Sequence, residues 1–285
     1  MTLITSDYTT LGGNQPLNHA RILWDFKSGA ATGDGTGAAL AANDYTAQRW
    51  DSEGAGAWVF EFDENQEVDT FVIAAHNLSG TLVSIETSSV TDELLTTEAG
   101  ENLQTEAEED IIAENVESPF SALTSFTPAD NSPIFIMIND DLGADLVLKS
   151  YRITVSRDAQ IGIIRAGKSL QMQRSIYSGH NVALWNRVTE GQQAFSETGQ
   201  WLGRTQKRLA YANSYEWEHI TAPWYRNNFE PFAQTLPLKP FAIAGNPEAM
   251  PQDVAWGWAQ GDVQPQNMGV RNFVTMGIQV TGYAG

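Results

Sequence analysis

The sequence predicts a mainly β protein, a β-sandwich followed by an α+β module with an antiparallel sheet and one short helix. Three observations predict it. Short runs rich in β-branched and aromatic residues recur along the first half with no long helical period between them. Charge divides the chain: residues 1–165 carry 27 acidic and 7 basic side chains, net −20, and residues 166–285 carry 8 and 9, net +1. Tryptophan runs the other way, with three of nine before residue 166 and six after it. A length of 285 residues allows for about two domains, expected here as 1–165 and 166–285.

In chain order, Ile22–Phe26, Trp58–Phe62, Phe71–Ala75, Leu82–Glu86, Ile134–Ile138 and Tyr151–Val155 read as strands. Several alternate apolar with polar residues, as half-buried antiparallel strands do. Ile134–Ile138 is apolar throughout and reads as central. Gly33-Asp34-Gly35-Thr36-Gly37 and Asn139–Gly143 are turn clusters. Strands without intervening long helices point to a sandwich rather than a βαβ sheet. The stretch 91–117 carries ten carboxylates and no basic residue and reads as a solvated loop. It fits no calcium-loop template, because no alternating Asp/Asn ligands precede Gly100.

In the second half, Leu209, Tyr211, Tyr215 and Trp217 share one face of a strand of about ten residues, with Arg208, Glu216 and Glu218 opposite. Thr221 offers an N-cap and Pro223 sits in the first turn of a helix. Tyr225, Phe229, Phe232 and Leu236 follow at helical spacing, and Pro237 and Pro240 stop the run. Strands at Pro240–Ala244, Val254–Trp258 and Val270–Val280 complete an antiparallel sheet.

Composition narrows the chemistry. Without cysteine there are no disulfides, thiolate metal sites or cysteine nucleophiles. There is no G-x-S-x-G elbow, and the four histidines (His19, His76, His180, His219) form no H-E-x-x-H pair. No catalytic residue, metal or cofactor is expected. Glu216 and Glu218, beside Trp217, are the best carboxylate pair for a glycoside hydrolase, but two acids at that spacing also suit a solvated strand face. Gly33–Gly37 lacks the lysine of a phosphate-binding loop. Arg204, Lys207 and Arg208 make the basic cluster Trp201–Arg208, which is expected to pair with acidic surface on the first half or a neighbouring subunit. Nucleic acid is not an expected partner, since a net charge of −20 on the first half repels phosphate. No run reaches the ~18 apolar residues of a membrane span, and the N-terminus shows no secretory-signal pattern.

One segment goes beyond composition. Val68-Asp69-Thr70-Phe71-Val72-Ile73-Ala74-Ala75-His76-Asn77-Leu78-Ser79-Gly80-Thr81-Leu82-Val83-Ser84-Ile85-Glu86 is a strand, a polar corner and a second strand. With Ala20–Asp25 and Trp50-Asp51, it resembles the galactose-binding-like, discoidin-type β-sandwich (jelly-roll) domains of tailed-bacteriophage structural proteins, over residues 15–160. At the strand end, His76 and Asn77 can bond backbone groups that the turn leaves unpaired; the alternative is contact with a sugar or a partner, for which Trp50 is the further candidate. In the second half, Asn227–Phe232 and Leu238–Phe241 resemble tube-type and distal-tail-type modules of phage tails.

Together these resemblances imply a non-enzymatic virion component of the tail, baseplate or fibre-attachment region, assembled in the host cytoplasm. It would act as an oligomeric scaffold or adaptor, with other virion proteins and further copies of itself as partners. A carbohydrate-binding module for host surface glycan is the alternative. The expected interface anchors are Trp185, Trp201, Arg204, Trp224, Tyr225 and Arg226, residue types that dominate the energy of protein interfaces.

Overall fold

Alternation in sequence becomes layering in space. The computed structural model describes residues 2–6, 18–94, 112–117, 119–138, 146–177, 186–269 and 272–283. Along Gly56–Val68, Trp58, Phe60 and Phe62 are buried while Glu61 and Asp63 between and beyond them are exposed. The three buried rings surround Tyr151 of the neighbouring strand, with centroids 5.7, 5.5 and 5.7 Å away. Together they form the middle of one core.

Two five-stranded sheets make the sandwich. The first runs Thr2–Ser6, Ile134–Ile138, Thr70–His76, Gln160–Gly167, Trp50–Asp51, antiparallel except for the parallel pair at Thr2–Ser6. The second runs Ser121–Phe126, Val83–Ser88, Leu146–Val155, Gly56–Val68, Gly29–Gly33 and is antiparallel throughout. The Gly33–Gly37 turn closes on the sandwich as its glycines require: Gly35 and Gly37 have φ of 74° and 73°. A Cβ on Gly35 would also lie 2.1 Å from the Asp51 carbonyl.

The third sheet carries the second half: Leu170–Gln171, Arg21–Leu23, Phe241–Asn246, Met250–Ala259, Phe273–Tyr283, Trp201–Thr221 and Arg187–Phe195, with Gln266–Asn267 beside Phe273–Tyr283. Its inner face is covered by the helix and by the first sheet, so the middle strands of the first sheet are buried on both sides. Phe71, Ile73, Ile134 and Ile136 face the sandwich core, whereas Val72, Ala74, Phe135, Met137 and Ile163 join the third sheet's core. Hence Thr70–His76 is buried at every residue, and an unbroken apolar run marks a middle layer. The fold class is the predicted one: mainly β, a sandwich, then an α+β module with one short helix.

The structure differs from the sequence reading at four places. Arg21–Leu23, read as part of the first module, pairs with Phe241–Asn246 in the third sheet. Three residues with both faces buried satisfy either core equally, so pattern could not assign them. The acidic stretch is not loop from end to end, because Val90–Leu94 pairs with Ile112–Glu117; β-branched Val90, Thr91, Ile112 and Val116 give those ends their strand preference. The strand expected to span about ten residues runs for 21, Trp201–Thr221. Thr221 does not cap the helix with its side chain. Instead the Gln173 amide oxygen accepts from Thr221 N–H at 2.8 Å, and the amide nitrogen donates to Thr221 Oγ1 at 3.0 Å.

The helix itself changes pitch. Ala222–Trp224 and Glu230–Thr235 are α-helical, while Tyr225–Phe229 between them is a π turn in which Glu230 N–H reaches back five residues to Tyr225. Pro231 has no N–H to give and crowds the carbonyl four residues back, and a widened turn ahead of it relieves both conflicts. Phe229 and Phe232 still face inward, onto Trp217, Trp24 and Phe241.

Candidate assembly surface

The corner residues turn inward. His76 is 5% exposed; its Nε2–H donates to the Ser132 carbonyl at 2.9 Å and Nδ1 accepts from Leu78 N–H at 3.2 Å. Both ring nitrogens are therefore occupied, and burial pushes the imidazole pKa down to about 4. Asn77 is exposed, yet its Oδ1 accepts from Gln160 N–H at 2.7 Å. Gly80, at φ 69°, closes the turn with its N–H on the Pro128 carbonyl. Trp50 is fully buried, with Nε1–H donating to the Asp34 carbonyl at 2.6 Å. That corrects its placement as a sugar contact: the ring is core.

The six expected anchors separate. Trp185 lies outside the described residues. Trp224 and Tyr225 are half-buried against the third sheet's core, and Tyr225 packs on Phe229 at 5.5 Å. Arg226 on the same helix is exposed. Trp201 and Arg204 stand together on a different feature, a ribbon that leaves the sheet.

That ribbon follows from register. Trp201–Thr221 pairs with Phe273–Tyr283 only from Ala210 onward, and with Arg187–Phe195 from Trp201 to Tyr211. Among the described residues, the sheet from Thr189 and Leu209 outward has just two strands, reaching roughly 25 Å beyond the third. Ser196 closes the tip: its carbonyl accepts from Gly199 N–H, and its hydroxyl accepts from Gln200 N–H at 3.0 Å. Gly199 takes φ 81° there. Phe195 and Trp201 are register partners at 58% and 65% exposure, Leu202 beside them is 66% exposed, and Val188 is 40% exposed at the base. Arg204 and Lys207 are exposed along the same strand.

Sequence reasoning marked Trp201 and Arg204 but missed Phe195, Leu202 and Val188. The available signal was the pairing of Phe195 and Trp201 across Ser-Glu-Thr-Gly-Gln, a short polar run containing glycine.

The carboxylate pair does not converge. Glu216 borders a cleft of about 310 Å³ with Asp262 and Gln260, while Glu218 borders a separate one of about 380 Å³ with Arg174, His219 and Phe273. A bulge between Trp217 and Ile220 with His219 at φ 59° divides them. On the sandwich, the loop after Ala38–Ala42 presents Tyr45 at 65% exposure. Tyr45 N–H donates to Asn43 Oδ1, and the Asn43 amide bonds Gln48.

No protein-family model and no curated protein matches this sequence. Solved structures similar to it include a pectin-binding carbohydrate-binding module (15% identity, TM-score 0.31, covering 51% of this chain and 92% of that one). Chitosan-binding module 1 of a Paenibacillus sp. IK-5 chitosanase/glucanase aligns at 11% identity and TM-score 0.34, over 50% and 96%. The family 32 module of C. perfringens NanJ, solved with galactose, aligns at 12% identity and TM-score 0.32, over 49% and 91%.

Proposed function

We propose that this chain is a non-enzymatic structural protein, a scaffold or adaptor in the tail or baseplate region of a tailed-phage virion. The observation that carries the reading is the projecting ribbon. A hairpin without a third strand is marginal in water, and one showing Phe195, Trp201 and Leu202 to solvent gains stability when a partner covers it. An aromatic pair beside Arg204 has the composition of an interface centre. The resemblance of Val68–Glu86 to domains of virion proteins supports the setting. The reading includes no cofactor, nucleic acid or bilayer, and no helix among the described residues is long and apolar enough to cross a membrane.

Mass spectrometry of purified particles whose genome encodes the chain should find it alongside the other virion proteins. A chain carrying Phe195→Ser and Trp201→Ser should keep its circular dichroism spectrum but drop out of those particles. Absence of the unaltered chain from particles would end this reading.

The Tyr45 loop favours a second reading, a glycan-binding surface on the sandwich. An exposed ring flanked by the amides of Asn43 and Gln48 can stack on a sugar face and bond its hydroxyls. On a glycan array the chain should then retain a defined set of saccharides that Tyr45→Ala loses at least tenfold. A blank array leaves only the structural role.

A further inference from the structure

We infer that the ribbon docks on a second copy of this chain and is received along the edge strand Gly29–Gly33; this rests on the structural role proposed above. Among the described residues, Arg187–Phe195 is bonded along one side only, to Trp201–Thr221. Gly29–Gly33 is likewise bonded along one side only, to Gly56–Val68. Sheet edges are normally guarded by proline, charge, bulges or brevity. Trp50–Asp51 and Leu170–Gln171 are two residues long, and Ser121–Phe126 is bulged between Ala122 and Thr124. Gly-Ala-Ala-Thr-Gly, like Thr2–Ser6 at the edge of the first sheet, has five residues in unbroken register and none of those guards. Its side chains are small and exposed except for half-buried Ala31, so another backbone can come within bonding distance.

Charge selects the body of another copy over its ribbon. Residues 187–208 carry four cations (Arg187, Arg204, Lys207, Arg208) against Glu190 and Glu197, net +2 on a chain of −19, leaving −21 for the remainder. Around the receiving strand, exposed Asp34, Glu61, Asp63 and Glu64 outnumber the cations, Lys149 on Glu61 and Lys27 on Asp25. Ribbon against ribbon would instead bring like charges together. A ribbon on one surface and its receptor on another make a head-to-tail contact, which propagates into a ring or a filament.

Because the chain has no cysteine, introduced thiols report the contact directly. Gln193→Cys marks the ribbon's edge strand, and Ala30→Cys and Thr32→Cys mark successive positions on the receiving strand. A disulfide needs Cα atoms within about 7 Å. Mixing the Gln193→Cys chain with either edge variant under mild oxidation should give disulfide-linked dimers. One chain carrying both thiols should give a ladder of higher species, and the yield should fall several-fold between low and high salt. Dimers of Gln193→Cys alone would overturn the inference in favour of ribbon pairing. No cross-link in any mixture, with the unaltered chain monomeric by light scattering, would also overturn it; the particle measurement decides the structural role separately.

Discussion

His76 shows how a single residue can look functional in sequence and be structural in space. The imidazole is buried with a partner on each nitrogen, and desolvation holds its pKa near 4, against an ordinary 6.5. The unfolded chain therefore takes up this proton first. Between pH 6.5 and 4 it binds more protons than the native state, so stability falls as the solution is acidified through that window. At 1.36 kcal/mol per pKa unit the full effect is on the order of 3 kcal/mol. Going from pH 7 to 4.5, urea unfolding should cost the unaltered protein about 2 kcal/mol more than His76→Gln. Equal losses would mean the ring is open to water. Asp69, whose carboxyl is raised chiefly by burial, acts with the opposite sign, and comparison with the His76 variant separates the two.

Among the elements, legibility followed the number of neighbours each strand has. Gly56–Val68 alternates because one face is core and the other water, and its period was readable. Thr70–His76 and Ile134–Ile138 do not alternate because they are buried on both faces. Their apolar runs announced burial but not the third sheet behind them. The helix was legible from Tyr225, Phe229, Phe232 and Leu236, whereas its π turn depends on Pro231 in a helix held at both ends by tertiary contacts. The ribbon was the hardest to read. Trp50 and Trp201 are the same residue type, yet one is enclosed between sheets and the other is 65% exposed. Beyond Thr189 and Leu209 no third strand among the described residues lies alongside the ribbon that carries Trp201.

Across the whole molecule the two compositional halves share a core and a buried polar clamp. Arg21 of the third sheet lies 3.7 Å from Asp69 at the end of the first, their side chains 7% and 15% exposed. Asp69 also accepts from Ser169 N–H at 2.7 Å and from the Ser169 hydroxyl at 3.2 Å. Asp69→Ala removes the anion beside buried Arg21 and the acceptor of Ser169, and a buried polar group left unsatisfied costs about 1–3 kcal/mol. That change should therefore lower the unfolding free energy by about 2 kcal/mol while one cooperative transition remains. Asp69→Asn, which keeps an acceptor for Ser169, should lose less. Equal and small losses for both, measured by denaturant titration, would show that the clamp does not hold the layers.

Local sequence was enough to establish that the chain is β-rich, divided in charge and tryptophan, and turned at Gly33–Gly37 and at the His76 corner. Each of these rests on local chemistry: β-branched preference, glycine's access to positive φ, and side chains long enough to bond the nearest backbone. The tertiary structure alone decided that Arg21–Leu23 crosses into the third sheet, that Trp50 is enclosed, and that Phe195 and Trp201 stand in solvent. Those outcomes depend on which distant strand lies alongside, and burial is a property of the neighbour as much as of the residue.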